Sequence, residues 1–262
     1  MEEPVADSEA TARATRPRRR VSVIGVIGEI LITAGVVVLL YVVWQLWVGD
    51  LIYGAERNAT GTELSQEWQQ QYDADAATTP TPSPTATDAA DPVTAPPPVI
   101  PEPGDGEKFA VMRIPRFGSD YAVPMAGGVT RARTLDPIGI GHYPGTKMPG
   151  EAGNFAVAAH RTTWGKPFNR IAELHVGDAI VIETPDGWYT YRFRTLEYVR
   201  PDEVEVLLPV PQAMDVPAGT AYLTMTSCSP MYSMTERIVA YSVFESFTPR
   251  SAGEPASLAA VA

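Results

Sequence analysis

Three stretches of different hydrophobic pattern divide the chain. Residues 21 to 49, VSVIGVIGEILITAGVVVLLYVVWQLWVG, are almost continuously apolar, and the uncharged run Ile30 to Val48 is close to the length that crosses a hydrocarbon core of about 30 Å as a helix. From Asp50 to Gln71 the chain turns polar, with Leu51, Ile52, Leu64 and Trp68 interspersed and Tyr72 just beyond, a weak signal for a short juxtamembrane helix. Residues 73 to 106 have too few apolar side chains to form a core and are dense in proline, so they read as an extended, disordered spacer.

The remaining stretch, 107 to 248, is long enough for a core of its own and is patterned mostly as strands. Phe109 to Ile114, Phe155 to Ala159, Ala179 to Thr184, Trp188 to Leu196, Ala221 to Thr226 and Ile238 to Phe247 are rich in β-branched or aromatic residues and bounded by Gly, Pro or Asp. TPDG between Glu183 and Trp188 predicts a hairpin turn. Only Thr130 to Leu135 and Pro167 to Leu174 suggest helices, both short. The pattern predicts a mainly β fold, a closed or nearly closed barrel with a few short helices. The expected organisation is a basic tail (1–20), a transmembrane helix (21–48), a juxtamembrane segment and linker (49–106), the barrel (107–248) and a tail (249–262).

Charge refines the first two stretches. Residues 1 to 20 carry five arginines, Arg13, Arg16, Arg18, Arg19 and Arg20, against four acids, and residues 21 to 106 carry one arginine against eleven acids. Basic residues before the apolar run and acids after it orient the N-terminus inside and the rest outside the membrane. Glu29 falls near the basic end, where it can reach the interface, while Tyr41, Trp44 and Trp47 stand toward the other end as interfacial anchors. A cleaved signal peptide shares the basic start and apolar core, but this run is longer than a usual h-region and bulky residues follow it in place of a small-x-small site. The globular stretch has thirteen Lys and Arg against fifteen acids and no basic stripe, which argues against nucleic-acid binding.

The single cysteine, Cys228, excludes an intramolecular disulfide, and no Cys/His cluster has the spacing of a structural zinc site. A lone cysteine is most often a small buried hydrophobe. Cys228, however, follows a predicted strand and has Ser227, Ser229 and Pro230 as neighbours, a setting suited to a cleft. A reactive thiol needs a partner, because the thiolate is the nucleophile. His160 closes the apolar run NFAVAAH and enters a loop in the same way. His175, between a short helix and a turn, suits an exposed position, and His142, in GIGHYPGT, lies in a glycine-rich loop that could line a groove. Arg237 opens the strand IVAYSVF nine positions after Cys228, so a hairpin would bring it to the thiol, where its fork of donors suits a carbonyl or oxyanion. On spacing alone an ordinary surface arginine at a strand start is the commoner reading.

Taken together these residues resemble the sortase family. LTMTSC, ending at Cys228, looks like that family's nucleophile signature TLxTC, with Met225 and Ser227 as departures; NFAVAAHRT matches the region of the family's histidine and ERIVAYSVF that of its arginine. GHYPGTKMPGEAGNFAVAAHRTTWGKPFNRI is similar to class E sortases of high-GC Gram-positive bacteria. The resemblance implies a β-barrel cysteine transpeptidase without a metal or other cofactor. Cys228 would attack the Thr–Gly carbonyl of a C-terminal sorting signal on a secreted protein, and an amine of a peptidoglycan precursor would resolve the thioacyl enzyme. His160 would serve as acid and base, and Arg237 would hold the signal and the oxyanion. An LAxTG-type signal favoured over LPxTG is associated with a tyrosine matching Tyr143. His142, Tyr143, Thr162, Thr226 and Ser227 are the candidates for contacting the peptide.

Three rivals remain at this stage. A papain-type hydrolase would place its cysteine before its histidine and on a helix, whereas here His160 comes first and both follow strands. A pilin-polymerising sortase commonly carries a lid and a C-terminal membrane segment, and SAGEPASLAAVA is too short and polar for the latter. A stalked surface protein that is itself sorted would carry a sorting signal and an apolar tail.

Overall fold

The computed structural model describes residues 22–44, 48–78 and 97–259, which fall into two units divided after Trp44. The first unit contains α1, Val23–Val43, whose 21 residues are apolar on every side and bury nothing. At about 1.5 Å per residue such a helix is long enough to cross a bilayer core. It begins earlier in sequence than the uncharged run, because Glu29 is accommodated within it and the Thr33 hydroxyl donates to the Glu29 carbonyl at 2.8 Å. The arginine cluster and Trp47 lie outside the described residues.

The second unit opens with α2, Gly49–Thr78, a 30-residue helix much longer than the weak signal suggested. Its inner side carries Gly54, Arg57, Asn58, Gly61, Ser65 and Gln69, spaced at three and four residues as one helix face requires. Small and polar residues make that face, so no hydrophobic period betrays it. Gly61 is needed for the close approach: a β-carbon there would lie 2.0 Å from the Ala122 carbonyl oxygen. Polar contacts hold the rest. Asn58 accepts from the Ala122 amide at 3.3 Å, Arg57 donates to the Asp136 carbonyl, Ser65 donates to Glu183, and Arg250 reaches Gln69 at 3.2 Å. The spacer expected from residue 73 is corrected accordingly: 73–78, DADAAT, continue the helix, while 79–96 lie outside the described residues.

The far end of that spacer also belongs to the folded unit. The Tyr189 hydroxyl donates to the Pro98 carbonyl at 2.7 Å, Glu102 accepts from the Gly145 amide at 2.8 Å, and Ile100 packs on the core. Prolines here set an extended strap whose carbonyls remain free to accept.

Eight strands then close a barrel in the order β1-β2-β3-β4-β7-β8-β6-β5. They are β1 Lys108–Arg113, β2 Val123–Gly127, β3 Ile140–His142, β4 Gly153–Ala159, β5 Ala179–Thr184, β6 Gly187–Val199, β7 Ala221–Ser229 and β8 Glu236–Pro249. The pairs β2/β3 and β4/β7 are parallel and the others antiparallel. Six of the eight match predicted strands. β2 and β3 escape prediction because they are short and carry Pro124, Gly127 and Gly141, residues that usually punctuate strands. The predicted hairpin is present: Thr184 pairs with Gly187 around Pro185 and Asp186.

Of the two predicted helices, the first is one wide turn over Arg131–Leu135, and the second shrinks to a single turn over Ile171–Glu173. There the Phe168 amide bonds back to the His160 carbonyl at 3.0 Å, which ties the segment to the end of β4 instead of to a helix ladder. The expected C-terminal tail is likewise not free throughout. Arg250, 4% exposed, donates to the Pro185 carbonyl at 2.9 Å and stacks 4.7 Å from the Trp188 ring, and Leu258 packs on Ala179, Val181 and Trp188. The barrel interior is filled by Met125, Phe155, Ile180, Ile182, Tyr189, Tyr191, Leu223 and Met225, among others.

Candidate active site

Strand alternation decides which side chains reach the outer surface of the barrel. On β4, Phe155, Val157 and Ala159 point into the core; on β7, Leu223 and Met225 do; on β8, Ile238 and Ala240 do. Cys228 and Arg237 have the opposite parity on their strands, and His160, the residue after β4, has the opposite parity to Ala159. All three therefore face outward at the same end of the barrel.

Register brings them side by side. Cys228 pairs with Arg237 across β7 and β8. The parallel β4/β7 ladder runs from Gly153 opposite Ala221 to Ala158 opposite Thr226, and its continuation sets His160 beside Cys228. The order across the surface is His160, Cys228, Arg237, with the half-buried free thiol in the middle. The Arg237 guanidinium spends Nη1 on the Met234 and Glu236 carbonyls, at 3.1 and 2.9 Å. Its remaining N–H groups are left as donors on the residue that pairs with Cys228.

The five residues expected to contact a peptide divide. Tyr143 and Thr226 share a hydrogen bond of 2.9 Å on the outer face, about two strand residues from Cys228, or roughly 7 Å. Thr162 lies half-buried in the loop just past His160. Ser227 is corrected: it has the inward parity, is buried, and donates its hydroxyl to the Ala159 carbonyl at 2.8 Å, so it staples β4 to β7. His142 is corrected as well. It closes β3 instead of lining a loop, is fully buried, and stacks on Phe155 with ring centroids 5.4 Å apart. Burial lowers its pKa, which keeps the ring neutral while Nε2 donates to the Lys147 carbonyl at 3.1 Å.

Two residues at the site were not anticipated. Arg161, 8% exposed, donates to the Cys228 carbonyl at 3.3 Å and so lashes the loop after His160 to the thiol's own backbone. Asp136 accepts from His160 Nε2 at 2.6 Å. Asp136 precedes Pro137, and an Asp-Pro pair reads in sequence as ordinary turn chemistry, so nothing there pointed to the histidine.

The sortase domain family matches residues 112–245. The chain is 34% identical to sortase SrtE1 of Streptomyces coelicolor over 258 residues, 96% of this chain and 66% of that one, so it spans just under two thirds of that relative. It is 30% identical to sortase SrtE2 of the same organism over 241 residues, 89% of this chain and 88% of the relative. Among solved structures, that of sortase E1 from Streptomyces coelicolor with a tripeptide in its active site superposes with a TM-score of 0.55 at 34% identity, covering 60% of this chain and 99% of the other.

Proposed function

The chain belongs to the sortase family, with its similarity directed to class E, and on that premise we propose that it is a single-pass membrane cysteine transpeptidase acting outside the cytoplasmic membrane. Its substrates are secreted proteins bearing an LAxTG- or LPxTG-type C-terminal sorting signal, and its acceptor is an amine of a peptidoglycan precursor. The observation that carries this reading is the alignment of His160, Cys228 and Arg237 on adjacent strand ends of one outer face. α1 supports the membrane part, being the helix among the described residues that is long and apolar enough to span.

The chemistry follows from the arrangement. The Cys228 thiolate adds to the carbonyl carbon between Thr and Gly, and the charge that develops on oxygen meets the free donors of Arg237. The C–N bond breaks as imidazolium His160 protonates the leaving glycine amine, which leaves a thioester on Cys228. The incoming amine then gives a proton to His160 while its nitrogen bonds to the same carbon, and the C–S bond breaks to restore the thiolate. Tyr143, tied to Thr226 beside this path, is the residue we assign to the second position of the signal, two before its threonine, where it would favour alanine over proline.

The test is to incubate the full chain in detergent with an LAxTG peptide and a small amine. Release of the glycine-bearing fragment together with a new amide is expected, and unchanged turnover in Cys228→Ala would overturn the reading.

A further inference from the structure

The ring of His160 is gripped from the side away from the strands. Its Nε2 donates to Asp136 Oδ1 at 2.6 Å, and the two side chains are 13% and 19% exposed. Asp136 stands where the wide turn Arg131–Leu135 ends, outside the sheet, and the turn holds its backbone by a 2.9 Å bond from its amide to the Arg131 carbonyl. Arg131 Nε lies 3.4 Å from the same carboxylate oxygen.

The second hold comes from α2. Arg57, 6% exposed, passes Nη2 to the Asp136 carbonyl. Burial lowers the Arg57 pKa, and the charge of Asp136 counters that effect, so the two residues are coupled through both backbone and field. α2 also meets the loop that follows His160: Tyr53 and Trp164 have ring centroids 5.4 Å apart, and Lys166 lies 3.8 Å from Asp50. Both segments flanking the imidazole, the turn before it in space and the loop after it in sequence, therefore rest on one helix.

We propose that Asp136 is the positioning residue of the catalytic histidine, fixing His160 with Nε2 as donor and Nδ1 toward the thiol, and that Arg57 of α2 is the strut that holds Asp136 in place. The inference rests on the thiol chemistry proposed above. An imidazole has two nitrogens on opposite edges of the ring, and the bond made by one decides the state and direction of the other. With Nε2–H committed to a carboxylate, the neutral ring presents Nδ1 as its basic nitrogen, which can take the proton of Cys228 and later carry it to the leaving amine. Without that bond the ring is free to turn about its side-chain torsions and to exchange tautomers, and only a fraction of its states serve the thiol. Loss of a positioned general base costs on the order of 10²-fold or more, so partial loss of its orientation is expected at about tenfold.

A structural tether would show itself differently, in stability and not in thiol reactivity. The test measures alkylation of Cys228 by iodoacetamide at neutral pH in the full chain, a reading that needs no peptide substrate. Cys228 is the sole cysteine, so the label reports one site. Relative to the unaltered chain, Asp136→Asn is expected to alkylate about tenfold more slowly, a partial loss beside the roughly 10²-fold of His160→Gln, with a similar melting temperature. Asp136→Glu should recover most of the rate, and Arg57→Gln should lose an intermediate amount. Should Asp136→Asn fail to fold, the comparison passes to Arg57→Gln, where an intermediate loss at an unchanged melting temperature supports the assignment and an unchanged rate overturns it. Alkylation unchanged in a folded Asp136→Asn overturns it, as does a loss that merely tracks the fall in melting temperature. If the unaltered chain joins no peptide to an amine while its alkylation still depends on His160 and Asp136, the transpeptidase reading fails and this one stands.

Discussion

Cys228 and Arg237 are a cross-strand pair of β7 and β8, so the spacing of their backbones is set by a sheet ladder and not by a loop. With Nη1 held by the carbonyls of Met234 and of Glu236, the first residue of β8, the arginine loses less freedom on engaging a substrate than an untethered one would.

That arrangement predicts that Arg237→Lys is not a conservative change. Lysine keeps the charge but loses the planar fork, and kcat/KM for peptide cleavage is expected to fall by roughly 10²-fold, about as far as removal of one oxyanion donor. Steady-state kinetics on an LAxTG peptide decide the point; a loss below threefold would mean that charge alone suffices.

Tyr143→Phe removes one hydroxyl and its bond to Thr226. If the tyrosine directs the choice of signal, the ratio of kcat/KM for otherwise identical LAxTG and LPxTG peptides should drop by roughly fivefold, as one neutral hydrogen bond of about 1 kcal/mol would give. A clear proline preference in the unaltered chain would refute the tyrosine argument outright.

Gly61→Ala tests the docking of α2. The new methyl would meet the Ala122 carbonyl at 2.0 Å, so helix or strand must move, at a cost of about 1–3 kcal/mol. A drop of several degrees in melting temperature is expected, with a smaller loss of activity through the Arg57 and Asp136 contacts.

His142 gives a pH signature. Its folded pKa is below the ordinary histidine value, so its contribution to stability is complete above pH of about 6.5 and is lost as the pH falls through the lower folded value. The melting temperature should therefore decline as the solution is taken from pH 7 toward 5, and His142→Phe should flatten part of that slope. An identical slope in the variant would show that other groups carry the acid sensitivity.

The sequence made the barrel legible wherever strands are long and β-branched, as at Ala179–Thr184, where prediction and structure coincide. It hid β2 and β3, whose pairing depends on neighbours distant in sequence, and it hid α2, whose docking face is made of glycine, asparagine, serine and arginine. Cys228, His160 and Arg237 stood out because each lies at a strand boundary with chemistry unlike its flanks. Asp136 did not, since its partner is 24 residues away and nothing local distinguishes it from any turn aspartate. His142 and Ser227 misled for a related reason: proximity to the site in sequence is not proximity in space, because strand parity sends alternate side chains inward.

The bond from Ser227 to the Ala159 carbonyl has a further consequence for how such a chain can diverge. Residues can be gained or lost in the loops between Arg161 and Thr220, since those segments begin and end at fixed strand ends. A single insertion within Gly153–Ala159 or Ala221–Ser229 is another matter. It would leave the composition of the site intact while turning either the imidazole or the thiol into the barrel. Length variation in descendants of this sequence should therefore be confined to the loops, and the strands that end at His160 and Cys228 should keep their residue count.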